Sequence, residues 1–386
     1  MNQFDEIIPR KGTHCVKHDA LLPNFGADDL LPMWVADMDF RTPSFILDAI
    51  RTRCQHEVLG YAVPSDGYFS SVISWLSGHY SIEAQRTELH FIPGIVAGIS
   101  FVLQAFTQPG DKVLVTTPVY PPFLNLPGRS QRQMVCSPLR IVDGRFAVDF
   151  DDFRRKAQGC KVFILANPHN PGGTVWSRAD LLQMAEICAE SGTLVIADEI
   201  HADLVLPGYR HTSFSTVGPC ARENSITFMA PSKTFNMAGL GSSIAYTPSS
   251  RLREQFHNYL DTFELANGNI FAFVAAEAAF RHGEPWLLEL RQYLLENVAF
   301  LNSYLRHSLP QVSAVLPEAS FLPWLDFSDF GLSHQQCKER LIGVAKVALN
   351  DGTTFGGSAY ERCFRLNIGC PRATLQEALD RIRNAF

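Results

Sequence analysis

The sequence contains no C-x-x-C pair, which removes the usual thiol signature of a zinc site or a dithiol redox centre. Its nine cysteines, Cys15, Cys54, Cys136, Cys160, Cys188, Cys220, Cys337, Cys363 and Cys370, are odd in number and read as reduced thiols of a reducing compartment. No apolar run reaches the roughly 18 residues that a membrane-spanning helix needs. The opening residues, Met1-Asn2-Gln3-Phe4-Asp5-Glu6, lack the basic and apolar regions of a secretory signal, so a cytoplasmic location is expected. There is no basic run, and the formal net charge is −6 with a pI near 6.1. Nucleic acid and membrane are thereby poor partners, and a small-molecule enzyme is the expectation. No repeat or low-complexity segment occurs.

What is present is a large apolar content, 46% of 386 residues against 19% charged. That is ample for a core and too long for one ordinary domain, so a large and a small domain are expected. Short apolar runs alternate with helical spacing from about residue 88: Leu89 to Ile92, Lys112 to Thr116, Lys161 to Leu165, Thr193 to Ala197, Ser225 to Met229 and Ser243 to Tyr246. Continuous apolar strands separated by helices predict an α/β domain whose mainly parallel sheet is buried on both faces. A long helical pattern follows Pro285, from Trp286 to Leu305. Beyond it come strand-like pieces, Val312 to Leu316 and Phe321 to Phe327, a helix near Gln335–Val344, a strand-like Cys363 to Ile368 and a terminal helix. The large domain is therefore expected over 46–285. Residues 286–386, joined by 1–45, form a smaller α+β domain. The run Leu31 to Phe40 reads as a loop docked by its aromatics, with Asp37 and Asp39 capping the helix that starts after Pro43-Ser44.

One stretch organises the rest. The run Ser225 to Met229 delivers Lys233 to a polar turn, Ala230-Pro231-Ser232-Lys233-Thr234-Phe235-Asn236. A lysine at the end of a buried strand is poorly solvated, which lowers its pKa and makes it a usable nucleophile or base. In open α/β sheets ligands sit beyond the carboxyl ends of the strands, and several other strand ends here carry specific groups. Pro93-Gly94-Ile95-Val96 opens a helix whose first N–H groups suit a phosphate. Tyr120 offers a ring for stacking. Asn170 follows a proline-fixed turn, and Asp198, with His201 three residues on, closes the most apolar strand, where a carboxylate needs a cationic partner or a cap. Each has a structural alternative: a snorkelling lysine, a core tyrosine, an Asx-turn or a helix cap. As a set, a phosphate cradle, a stacking ring, an amide, a buried acid and an amine match pyridoxal 5′-phosphate.

The chain resembles fold-type-I pyridoxal-phosphate enzymes of the aminotransferase superfamily, which share an aspartate-aminotransferase-like three-layer large domain. Within them it resembles the MalY/PatB family of cystathionine β-lyases. The likeness spans nearly the whole length and rests on Pro32 to Phe40, Asn167-Pro168-His169-Asn170-Pro171, Ala197-Asp198-Glu199-Ile200-His201, Ala230 to Asn236, and Arg365 to Arg372. It implies a catalytic set of Lys233, Asp198 and Tyr120. Lys233 would form the Schiff base, Asp198 would pair with the pyridine nitrogen, and Tyr120 would stack on the ring. Asn170 would bond the ring hydroxyl, with His201 standing where many relatives have tyrosine. Ile95, Val96 and Ser232 would hold the phosphate, together with Tyr61 of a neighbouring subunit, which makes a homodimer with shared active sites the expected assembly. Arg365 would take the substrate α-carboxylate in a bidentate pair, beside Val35 and Ala36.

Two departures from common aminotransferases stand out. Pro171-Gly172-Gly173 replaces Pro-Thr-Gly and is expected to loosen that turn. Gly239-Leu240-Gly241-Ser242-Ser243 lacks the usual phosphate arginine. The implied reaction is α,β-elimination from a cysteine S-conjugate such as L-cystathionine, giving thiol, pyruvate and ammonia. Transamination of an L-amino acid is the alternative on the same residues, and a regulatory or binding protein retaining the fold is a third reading.

Overall fold

A computed structural model describes residues 2–265 and 267–386. The six apolar runs of the first half become strands Leu89–Ile92 (β1), Lys112–Thr117 (β2), Cys160–Ala166 (β4), Leu194–Asp198 (β5), Ser225–Met229 (β6) and Ser243–Tyr246 (β7), joined by Gln133–Pro138 (β3). They form one seven-stranded sheet in the order β1-β7-β6-β5-β4-β2-β3. From β6 to β3 the pairing is parallel, while β7 runs antiparallel to both its neighbours. The carboxyl ends of β1, β2, β4, β5 and β6 therefore share one edge. Val162, Ile164 and Ile196 are buried on one face and Phe163, Val195 and Ala197 on the other, as a sheet covered on both faces requires. β3 escaped the sequence reading because it is an edge strand with Gln133 and Met134 exposed, so it lacks a continuous apolar run.

The second half folds differently. Glu284–Ser308 is one 25-residue helix, about 37 Å long at 1.5 Å per residue. Its apolar stripe, Trp286, Leu287, Leu290, Leu294, Val298, Leu301 and Leu305, lies in the same core as Leu375, Leu379 and Ile382 of the terminal helix Arg372–Ala385. A four-stranded antiparallel sheet combines Ser313–Val315, Trp324–Asp326, Cys363–Arg365 and Asn350–Asp351. The helix expected near Gln335–Val344 is α-helical only over His334–Lys338 and continues as a π-helical turn, Glu339–Val344. No helix among the described residues is long and apolar enough to cross a membrane.

The segment 31–40 is a strap rather than a helix leader. Leu31–Pro32 pairs in parallel with Val347–Ala348, Trp34 packs edge-on against Phe25, and Phe40 against Phe4 and Tyr293. The expectation that its aspartates cap the next helix is wrong. Ser44–Cys54 starts after Pro43 without a side-chain cap, and the carboxylates are drawn instead to buried cations. Lys17, wholly buried, donates to Asp39 at 2.7 Å, and Arg10 pairs with Asp37 at 2.7 Å and Asp39 at 2.6 Å. Burial disfavours ionised Asp39, but Lys17, His18 and Arg10 outweigh it and hold the carboxyl below its ordinary range. Asp39→Ala is expected to cost roughly 3–5 kcal/mol, because Lys17 keeps its burial and loses its main counter-charge; urea unfolding of the variant measures it. The depressed pKa gives the sign of the pH effect: the stabilisation is complete above the unfolded carboxyl pKa of about 4 and fades as pH falls below it.

Candidate active site

Beyond the shared strand edge lies a cavity of about 360 Å³, lined among others by Ala36, Ile95, Val96, Tyr120, Asn170, Asp198, His201, Ser232 and Lys233. Most sequence-predicted groups thus meet in one place. At one end of it the helix Ile95–Phe106 opens after Gly94, and the Gly98 amide donates to the Gly94 carbonyl at 2.9 Å. The amides of Ile95, Val96 and Ala97 precede that ladder and present the positive helix end. Gly241, Ser242 and Ser243 line the same cavity, and no arginine does. Gly241 has φ +58°, and a Cβ there would meet the Pro93 carbonyl oxygen at 2.9 Å. The sequence reading took this run only as a missing arginine; it also brings the Ser242 hydroxyl, buried without a partner among the described residues.

Asp198 ends β5 and is nearly buried. Its carboxylate accepts from the Ile200 amide at 3.0 Å, and no described cation pairs with it. Burial lifts its pKa to about 7, against the lowering effect of that amide and of Lys233. His201 is buried with Nδ1 unpartnered; burial, then the charges of Lys233 and Arg365, push its pKa down to about 3, so the ring is neutral. Burial raises the Tyr120 phenol. Lys233, half-buried, donates from Nζ to the Ala36 carbonyl at 2.6 Å, and burial brings its pKa down to about 8.

Arg365 is 4% exposed and meets no carboxylate among the described residues. It donates to Asn170 Oδ1 at 3.1 Å, Asn350 Oδ1 at 2.6 Å and the Trp34 carbonyl at 3.1 Å, leaving Nε without a partner. Burial lowers its pKa to about 10. A guanidinium held this way, with neutral acceptors only, awaits an anion. Val35 does not line this cavity as Ala36 does; its carbonyl accepts from Asn367 at 2.5 Å. Tyr61 is not brought to this cavity: it is fully exposed, in a segment without regular secondary structure, beside exposed Val58, Leu59 and Val63.

The Asn170 turn is not loosened by its glycines. Gly172 donates to the Leu322 carbonyl and the Ala319 amide donates to that of Gly173, at 3.0 and 2.9 Å. Gly173, at φ +66°, would place a Cβ 2.0 Å from the Ala319 oxygen. The diglycine lets two backbones touch, and so tightens the turn.

Residues that sequence reasoning left without a role brace the site. Glu199 accepts from Asn167 Nδ2 at 3.0 Å and the Phe214 amide at 2.7 Å, and meets His211 at 3.1 Å. Asp203 accepts from Thr234 at 2.7 Å, Trp75 at 2.9 Å and the Tyr80 hydroxyl. Glu199 stood inside a quoted motif; nothing local marked Asp203, whose donors come from distant elements.

Pyridoxal phosphate fits these residues. The unpaired Asp198 carboxylate suits a protonated ring nitrogen, the unpartnered His201 and Ser242 atoms suit its polar substituents, and the helix amides suit its phosphate. Such a sheet and site define a fold-type-I pyridoxal-phosphate enzyme. The model of the family described as aminotransferase class I and II matches residues 55–382. Among curated proteins, cystathionine beta-lyase PatB of Bacillus subtilis is 42% identical over 99% of both chains. Protein MalY of Escherichia coli is 30% identical, covering 100% of this chain and 99% of its own. Among solved structures, Treponema denticola cystalysin, which contains pyridoxal 5′-phosphate, superposes with a TM-score of 0.95 at 28% identity, over 100% of this chain and 98% of that one. The PLP-bound C-S lyase of Staphylococcus hominis gives 0.92 at 34%, over 99% and 97%. The chain belongs to the aminotransferase class I and II family and, within it, to the PatB/MalY family of cystathionine β-lyases.

The raised pKa of Asp198 has an energetic consequence. In the cofactor-free protein its ionisation is disfavoured relative to the unfolded chain, so stability is lost as pH rises from about 4 to about 7 and is flat above. Asp198→Asn is expected to make the cofactor-free protein more stable at pH 8, by a few kcal/mol, with no gain at pH 4. The same substitution weakens cofactor binding. Thermal unfolding with and without added pyridoxal phosphate reads both signs.

Proposed function

We propose that this protein is a carbon–sulfur β-lyase, cleaving L-cystathionine or related cysteine S-conjugates to a thiol, pyruvate and ammonia. The observation that carries the reading is the buried guanidinium of Arg365, bonded to Asn170 in the wall of the cavity that Lys233 and Asp198 line. Arg365 binds the substrate α-carboxylate through paired N–H donors and, with Asn170, sets the orientation of the Cα–H bond. When bound, pyridoxal phosphate condenses with amines and accepts the negative charge that develops at the substrate Cα. Asp198 would hold a proton on the ring nitrogen by its negative charge. Lys233, with a pKa near 8, is present in part as the free amine at neutral pH and removes the Cα proton. The Cβ–S bond then breaks with its electron pair on sulfur. The released 2-aminoacrylate takes up water to give pyruvate and ammonia. Tyr120 and His201 both line the cavity; the tyrosine would stack on the ring and the neutral histidine would serve as a hydrogen-bonding partner.

We further read the chain as a large unit, 46–285, and a small unit, 1–45 with 286–386, acting as a homodimer in the cytoplasm. The exposed Tyr61 segment supports an interface in which that tyrosine reaches the partner's phosphate site. The nine unpaired cysteines accord with a reducing compartment.

L-Cystathionine or S-methyl-L-cysteine supplied alone is expected to yield pyruvate and free thiol in equal amounts. Turnover that requires an added keto acid would instead establish a transaminase. Lys233→Ala is expected to lower kcat by at least roughly a thousandfold with the visible cofactor band altered, whereas Arg365→Ala raises KM by about a hundredfold. Sedimentation at one chain mass would overturn the dimer.

A further inference from the structure

The strap from Trp34 to Phe40 touches both the proposed base and the proposed carboxylate anchor, and its carbonyls diverge in alternation. Those of Trp34 and Ala36 accept from Arg365 and Lys233, at 3.1 and 2.6 Å. Those of Val35 and Asp37 both accept from the same amide, Asn367 Nδ2, at 2.5 and 2.7 Å. Asn367 is wholly buried, and its Oδ1 accepts from the Gly369 amide at 2.7 Å, which fixes which end of the side chain faces the strap. Farther along, Asn236 accepts from the Met38 amide at 3.1 Å and donates to the carbonyls of Met38 and Phe40 at 2.9 and 2.8 Å. Asn236 stands three residues after Lys233, in the left-handed region at φ +52°, and Asn367 two residues after Arg365. Each functional residue thus has a nearby asparagine that grips the strap it touches. Outside, Arg10 and Lys17 hold the strap by its aspartates.

We infer that Asn367 and Asn236 are positioning residues of the reaction: by clamping the strap they aim the Ala36 carbonyl at Lys233 Nζ, which thereby has a fixed acceptor whenever it is not joined to the cofactor. The inference rests on Lys233 being the reacting amine. Its physical content is directional. A lysine side chain has four rotatable carbons and a mobile head, and proton removal from Cα requires the nitrogen to stay within hydrogen-bond reach. With one N–H committed to Ala36, the nitrogen is held against the cavity wall. The same carbonyl stabilises the ammonium form, so it opposes the lowering of the Lys233 pKa by burial.

The test measures Lys233 itself. Borohydride reduction of the holoenzyme followed by peptide mass spectrometry first establishes which lysine carries the cofactor; label on another lysine overturns the reading of the site, independently of the clamp. The full chain freed of cofactor is then treated with cyanate across pH 6–10, and carbamylation of Lys233 is quantified by mass spectrometry. In Asn367→Ala the midpoint is expected to move down by roughly half to one pH unit, with kcat lowered about tenfold. Asn367→Ala removes buried bonds and can fail to fold. Asn236→Gly therefore serves as the second variant, because glycine keeps the left-handed turn without strain and removes only the amide; a shift in the same direction is expected. A lower melting temperature with the Lys233 midpoint unmoved in a folded variant overturns the inference, since a merely structural role would do that much.

Discussion

The interaction on which the site depends is one the polypeptide leaves incomplete. Asp198 ends an apolar strand and receives one backbone amide; Lys233 acts on it only through its field, and no salt bridge reaches it among the described residues. Arg365 is buried on neutral acceptors, and Lys233 is held on a carbonyl. Left alone, each is a charge in the wrong medium, and each pKa is displaced towards neutrality by burial. A ligand that brings a protonated ring nitrogen, an aldehyde and, with the substrate, a carboxylate resolves all three at once. The seven-stranded sheet brings Asp198 and Lys233 to one edge, and its core supplies the stability such groups withhold: burying one large apolar side chain contributes roughly 1.5–3 kcal/mol.

The strap gives the second half of the chain its part in this arrangement. It is tied to Val347–Ala348 by parallel pairing and to Arg10 and Lys17 by ion pairs, and it presents its carbonyls to residues of both sheets. Lys233 comes from the end of the parallel sheet and Arg365 from the small antiparallel one, so a single short segment reports the position of each to the other. Residues of the terminal regions thus contact both Lys233 and Arg365.

The sheet was legible in the sequence wherever a strand is buried on both faces, because a continuous apolar run followed by a polar group marks both the strand and its ligand edge. The edge strand Gln133–Pro138 was not, since half-exposure erases that signal. Lys233, Asp198, Asn170 and Tyr120 were legible because each follows such a run directly. Asp37 and Asp39 were misread as helix caps: local spacing favours a cap, and the buried Lys17 that claims them lies far outside any local pattern. The same holds for Asp203, whose donors Trp75, Tyr80 and Thr234 are remote in sequence. Gly172 and Gly173 were read as slack, whereas the close approach of the Ala319 backbone makes them a tight fit. What composition and periodicity miss is the partner a group finds across the fold.

The central claim is that the buried Asp198 carboxylate holds a proton on the cofactor ring. Nitrogen NMR of the full-length protein loaded with pyridoxal phosphate labelled with ¹⁵N in the ring measures this directly. The account predicts the chemical shift of a protonated pyridinium, unchanged throughout pH 6 to 9. A shift typical of the unprotonated ring across that range would contradict it.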